Sequence, residues 1–295
     1  MGYEIMSRKL FCELGPIAYR ISERKEILLR HIKDFFSNEK IAKTHFDEEL
    51  PHTVKSHSSI LLRKLAGVDL RLQENKVTNI ILACNKVNGI IIHPGETFSY
   101  WRTIGHATQK NGYKEGLVIT RGGLSSGYGG GLCQLANMIH WLVLNSPLDV
   151  TELHHHSDAL FQDDRRRVPF GTGTSVFYNN IDYRFKNNTD QDVQILVWVE
   201  NGELCGELRS EREFPCRYKL VEENHHYRKE LDKYYRISQV YRIVIDRSTN
   251  KEITKELILD NHSAVLFDYS LIPADQIRDD ENDKQDRMDS RKESK

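Results

Sequence analysis

The chain has 295 residues, 39% hydrophobic and 29% charged, with 42 Lys and Arg against 43 Asp and Glu. That length buries one large core, or one core with appendages, and a formal net charge of -1 excludes a global pull toward nucleic acid or anionic membrane. No run approaches the ~18 apolar residues of a spanning helix, and the N-terminus lacks the apolar stretch of a signal peptide, so the sequence predicts a cytoplasmic protein.

Apolar residues at helical spacing between 7 and 37 (Leu10, Phe11, Leu14, Ile17, Ala18, Ile21, then Ile27, Leu28, Ile32, Phe35) predict two helices broken near the polar triplet 22–24. Residues 38–58 are polar and read as a loop. After a helix or turn at "SSILLRKL", a helix follows over 76–88, a strand over 89–93 and a turn at "HPGE", 93–96. Leu132, Leu135, Ala136, Ile139, Leu142 and Val143 form a stripe of 3.6-residue period, bounded by Pro147.

Beyond it the pattern turns to strands at 148–155, 174–179, 182–187, 193–200 and 204–210, with turn signals at 179–180 and 200–202 that predict an antiparallel meander. Residues 234–261 read as a further hairpin about "STNKE", and the charged stretch from 273 as a disordered tail. The fold class is therefore α+β: N-terminal helices, a central cysteine-bearing helix packed on an antiparallel sheet, and a disordered charged C-terminal tail. The implied units are a helical extension at 1–54, the α+β domain at 55–210, a hairpin extension at 211–272 and the tail at 273–295.

The five cysteines, Cys12, Cys84, Cys133, Cys205 and Cys216, form no C-x-x-C pair, which points to free thiols in a reducing compartment. Cys133 stands apart because "GGGLCQLAN" places it behind Gly129, Gly130 and Gly131, in the first turn of the predicted helix. A thiol there feels the positive helix end, which favours the thiolate, and glycine N–H groups beside it would suit an oxyanion. The alternative is a small residue filling space at a glycine-rich turn.

A cysteine nucleophile needs a base, and "TELHHHSD" supplies His154 and His156 on one face of a strand. His156 is the preferred base, His154 the alternative, and Asp182 the acid best placed to orient either. A zinc site of Cys133, His154 and His156 would need His140 or Asp158 as a further ligand; no metal and no cofactor is the expectation.

"PGETFSYWRTIG", "GYKEGL", "GGGLCQLAN", "ELHHHS" and "DYRFKN" together resemble the VanW family, over about residues 55–210. Leu153 and Gly173 stand where many members carry arginine and aspartate. The resemblance implies a role around the bacterial cell wall and the glycopeptide response. It implies cysteine-dependent acyl transfer of the L,D-transpeptidase kind, or amide hydrolysis, on peptide or peptidoglycan-precursor substrates. Cys133 would then be the nucleophile, His156 or His154 the base, Asp182 the orienting acid and Gln134 an oxyanion donor. A binding module for a cell-wall fragment or a protein partner is the alternative.

Overall fold

The computed structural model describes residues 10–62, 69–120, 123–155, 158–159, 168–169, 171–178 and 181–278. A 3-10 turn at Phe11–Glu13 leads into α1 (Pro16–Phe36). Proline suits the first helical position, where its missing N–H has no partner to lose. The two predicted helices are one, because Ser22, Glu23 and Arg24 are polar but none is a helix breaker.

The polar stretch predicted as a loop contains β1 (Thr44–His45) and β2 (His52–Ile60). β2 is polar because it is an edge strand with much of its surface in solvent, and Val54 packs against the core. The next helix, α2 (Leu70–Val87), starts six residues earlier than its apolar stripe suggests, capped by Asp69, which accepts from the Arg71 N–H at 2.9 Å. There follow β3 (Ile90–Ile92), β4 (Thr97–Ser99), the short α3 (Tyr100–Ile104), and the hairpin β5 (Glu115–Thr120) and β6 (Gly123–Tyr128). Then come α4 (Leu132–Leu144), β7 (Asp149–Glu152), β8 (Asp158–Ala159), β9 (Arg184–Lys186), β10 (Val193–Glu200) and β11 (Glu203–Ser210).

Among the described residues the main sheet is antiparallel, in the order β1-β3-β10-β11-β2. β10 and β11 join through Asn201 and Gly202, both at positive φ, the geometry that a two-residue hairpin of right-twisted strands demands. The α4 helix packs on this sheet as its stripe predicts. Gly206 of β11 lets it seat closely, since a Cβ there would lie 3.0 Å from Met138 Cγ and 3.2 Å from Leu142 Cδ1. Leu135, Ile139, Leu142 and Val143 of α4 share one core with Ile80 and Val87 of α2 and Ile195 and Leu208 of the sheet.

The predicted single meander is divided. β7 and β9 pair in a separate sheet of order β4-β9-β7. The predicted strand at 174–179 is irregular over its described residues, 174–178, with an isolated bridge between Phe177 and Ile181. Its neighbouring N–H groups go elsewhere: Thr174 donates to Asn137 Oδ1 at 2.7 Å and Ser175 to the His154 carbonyl at 2.6 Å.

Three long strands complete the chain: β12 (Cys216–Glu230), β13 (Lys233–Asp246) and β14 (Glu252–Val265), with β8 parallel to β14 at the edge. The predicted hairpin is β13–β14; β12 precedes it. Tyr227, Val265 and Ile272 form a second small core, and Ile277 bridges to Tyr227. Residues 273–278 are therefore part of the fold and not of a disordered tail. The rest of that stretch, 279–295, lies outside the described residues. None of the described helices is long and apolar enough to cross a membrane.

Candidate functional site

The glycines before Cys133 answer to packing. Gly130 lies against the backbone of Gly116 in β5: a Cβ on Gly130 would sit 2.2 Å from the Gly116 carbonyl carbon. The Gly130 carbonyl also accepts from Asn79 Nδ2 of α2 at 3.0 Å. Gly131 caps α4 at φ 96, a left-handed conformation costly to any residue with a Cβ. Cys133 is the second residue of α4, partly buried and packed against the core. Its Sγ donates to the Val176 carbonyl at 3.8 Å.

Burial raises the Cys133 thiol above its ordinary value, against backbone hydrogen bonds at Val176 and at Cys133 itself that favour the thiolate. The helix start alone predicts the opposite direction. Desolvation of a charged sulfur outweighs a partial positive charge at the helix end. Cys84, deeper in the same core, is pushed up to about 12 by burial.

Gln134, the expected oxyanion donor, turns to β2. Its Nε2 donates to Ser59 Oγ at 2.9 Å and to the Ile60 carbonyl at 3.0 Å. His154 Nε2 lies 3.2 Å from Glu152 Oε1, and the 174–176 segment runs between the His154 backbone and α4. His155 faces the Gly171 carbonyl at 3.2 Å. His156 lies outside the described residues.

Asp182 is buried and fully engaged. Its Oδ2 accepts from Ser99 Oγ at 2.5 Å, Arg184 Nε at 2.8 Å and Arg30 Nη2 at 3.4 Å. Its Oδ1 accepts from the Trp101 and Tyr183 N–H groups at 3.0 and 2.9 Å. Among the described residues these partners place it at the start of α3 and against α1, and none is a histidine.

Asp182 belongs to an ion cluster that sequence spacing does not reveal. Arg30 of α1 forks onto Glu152, with both nitrogens at 2.7 Å, and Arg184 holds both Asp34 oxygens at 2.8 Å and Glu39 at 2.7 Å. Burial alone would raise Glu152, but hydrogen bonds from Arg30, His154 and the Asp182 N–H, with the Arg30 charge, hold it down at about 2. A carboxylate depressed in the folded state stabilises above its unfolded value of about 4.3, and that stabilisation is lost as pH falls through the folded value. The thermal midpoint of the protein is therefore expected to drop between about pH 4.3 and 2. Glu152→Gln should lower it at pH 7 and converge with the parent toward pH 2; a constant gap between the two curves would contradict the assignment.

Near the first turn of α4 lies an aromatic ladder that sequence spacing does not assemble. His106 stacks on Tyr178 with ring centroids 3.9 Å apart and planes within 5°. Tyr178 meets Trp101 edge-on, Trp101 meets Tyr100 edge-on, and the Tyr100 hydroxyl donates to the Leu132 carbonyl at 2.7 Å. His106 lies exposed at the outer end, and the loss of solvent on its stacked side lowers its pKa, against the raising effect of the Glu23 charge. "PGETFSYW" carries Tyr100 and Trp101, and that cluster of aromatics is the one signal in the sequence that points to it.

Of the ligands the zinc alternative calls for, His156 lies outside the described residues. His140 is buried with Nδ1 3.1 Å from the Tyr183 hydroxyl, and burial, with a contribution from His155, pushes it down to about 3. Among the described residues no group of three His, Cys, Asp or Glu converges to hold a metal.

Among known proteins, residues 75–209 match the family model described as VanW like protein. That span runs from α2 to β11 and includes Cys133, His154 and Asp182. The chain is 28% identical over 262 residues, 89% of its own length and 95% of the relative's, to the Vancomycin B-type resistance protein VanW of Enterococcus faecalis. It is 31% identical over 117 residues, 40% of this chain and 37% of the relative, to the Uncharacterized protein YoaR of Bacillus subtilis. No solved structure matches.

Proposed function

The chain belongs to the VanW family through residues 75–209, and from that membership we propose that it serves the bacterial response to glycopeptide antibiotics as a binding module for a cell-wall peptide or its precursor. Cys133 is a packing residue in this reading. The observation that carries it is the engagement of the would-be catalytic groups among the described residues, which do not include His156: the Cys133 thiol on the Val176 carbonyl, His154 on Glu152, and Asp182 on five donors. The exposed His106, stacked on the half-buried Tyr178, offers an aromatic shelf of the kind that small peptides and sugars lie against.

Two measurements test it. Cys133→Ser is expected to leave both the binding of a muramyl stem peptide and the glycopeptide susceptibility of a strain relying on this protein unchanged. Loss of both with the fold intact would reject the reading. Tyr178→Ala should weaken stem-peptide binding roughly three- to tenfold by calorimetry, the range of one aromatic contact; unchanged affinity would rule the shelf out as the binding surface.

A second reading is favoured by one feature, the position of Cys133 in the first turn of α4 behind Gly131. In it Cys133 acts as an L,D-transpeptidase-like nucleophile. The thiolate attacks a peptide carbonyl, His156 (or His154) takes the thiol proton and returns it to the leaving amine, and an acceptor amine or water resolves the thioester. It requires an acyl adduct on Cys133, visible in the intact mass of protein incubated with stem peptide.

A further inference from the structure

The α1 helix has two unlike faces. Its inner face is fixed to the fold by Arg30 on Glu152 and Asp34 on Arg184, with Glu23 close enough to His106 to act on its charge. Its outer face is apolar and, among the described residues, uncovered: no residue of α1 is buried, and Ile17, Ile21, Leu28, Ile32, Phe35 and Phe36 are between 46% and 82% exposed. These positions lie within about a third of the helix circumference at 3.6 residues per turn.

The charges of α1 are sorted in the same way. Arg20 and Arg24 border the apolar face on one side and Lys33 on the other, with Lys25 between Ile32 and Phe36, all exposed, whereas Glu23, Glu26, Arg30 and Asp34 are the half-buried charged residues of the opposite face, Arg30 being held there by Glu152 and Asp34. Such a face, apolar along its middle and cationic along its margins, is complementary to a layer of lipid headgroups with negative charge. A second copy of the chain is a poorer fit, since pairing two such faces would set cation rows against each other in an apolar contact. With 21 residues α1 is about 32 Å long, and it is not apolar enough to span, so it would lie in the interface plane.

We propose that α1 is a peripheral docking helix for an anionic phospholipid bilayer. The net charge of -1 is no obstacle, because the cations that matter are concentrated on one face. This inference rests on α1 alone and is independent of what the Cys133 region does.

Co-sedimentation of the full chain with phosphatidylcholine vesicles, and with vesicles containing phosphatidylglycerol, tests it. Binding is expected only to the phosphatidylglycerol vesicles, and should weaken at high salt. Arg20→Gln with Arg24→Gln should reduce that binding roughly 30-fold, and Leu28→Glu with Phe35→Glu at least about tenfold. All four side chains are exposed, so the variants should fold with an unchanged thermal midpoint. Failure to bind either vesicle, or equal binding to both, would overturn the proposal. So would a dimer in solution that the Leu28→Glu and Phe35→Glu pair dissolves.

Discussion

Replacing Asp182 with alanine is expected to cost about 3–5 kcal/mol of folding stability, the range for removing one partner of a buried ion pair. Its carboxylate joins the Ser99 hydroxyl, the first turn of α3, the Tyr183 N–H just before β9 and the guanidinium groups of Arg184 and Arg30. Alanine would leave the buried Arg184 Nε and two backbone N–H groups without their acceptor. Arg184 keeps Asp34 and Glu39, which sets the upper bound. Asp182→Asn should lose less, because an amide oxygen still accepts from Trp101 and Tyr183 N–H. Urea unfolding of the two variants decides. A loss under about 1 kcal/mol for the alanine variant would mean that water replaces the carboxylate and that the site is more open than the contacts imply.

Gly130→Ala is expected to be nearly as damaging, about 3 kcal/mol, at the upper end for overpacking. The atoms it would strike, at 2.2, 2.5 and 2.6 Å, are all backbone of Gly116, so no side chain can swing away. Gly95 is the unobstructed control. It sits at φ 83 with nothing within 4 Å of where a Cβ would lie, so Gly95→Ala should show only the conformational cost of about 1–2 kcal/mol. Equal losses in thermal unfolding would mean that the Gly130 contact yields. The expected inequality would identify the glycine run as a close-packing device that brings β5 and α2 against the start of α4.

The parts of this fold that were legible in the sequence are those where one local signal dominates. The stripe of α4 gives both its ends, the Asn201–Gly202 turn fixes the β10–β11 hairpin, and "STNKE" marks the β13–β14 connection. Signals failed where tertiary contacts override local ones. The residues at 174–178 are mostly β-branched or aromatic yet irregular, because Asn137 and the His154 carbonyl take N–H groups a ladder would need. The polar β2 is a strand because β11 pairs with it along its length.

The candidate site divides in the same manner. The helix-start position of Cys133 and its glycine turn follow from spacing and are found as expected. The partners of its would-be helpers do not, because they are set by chain segments far apart: Arg30 reaches Glu152 across 122 residues and Asp34 reaches Arg184 across 150. That cluster explains why a carboxylate two residues before His154 and an aspartate at the edge of β9 are held by arginines of α1 and β9. No local pattern encodes it.

Competitive alkylation of the five thiols with limiting iodoacetamide between roughly pH 5 and 9, followed by peptide mapping, is the sharpest test of the role of Cys133. If burial governs the thiol, Cys133 labels more slowly than Cys216, and its rate is still climbing above the free-thiol value of about 8.5. First labelling at Cys133, with an apparent pKa below about 7, would contradict the packing role and make it the nucleophile.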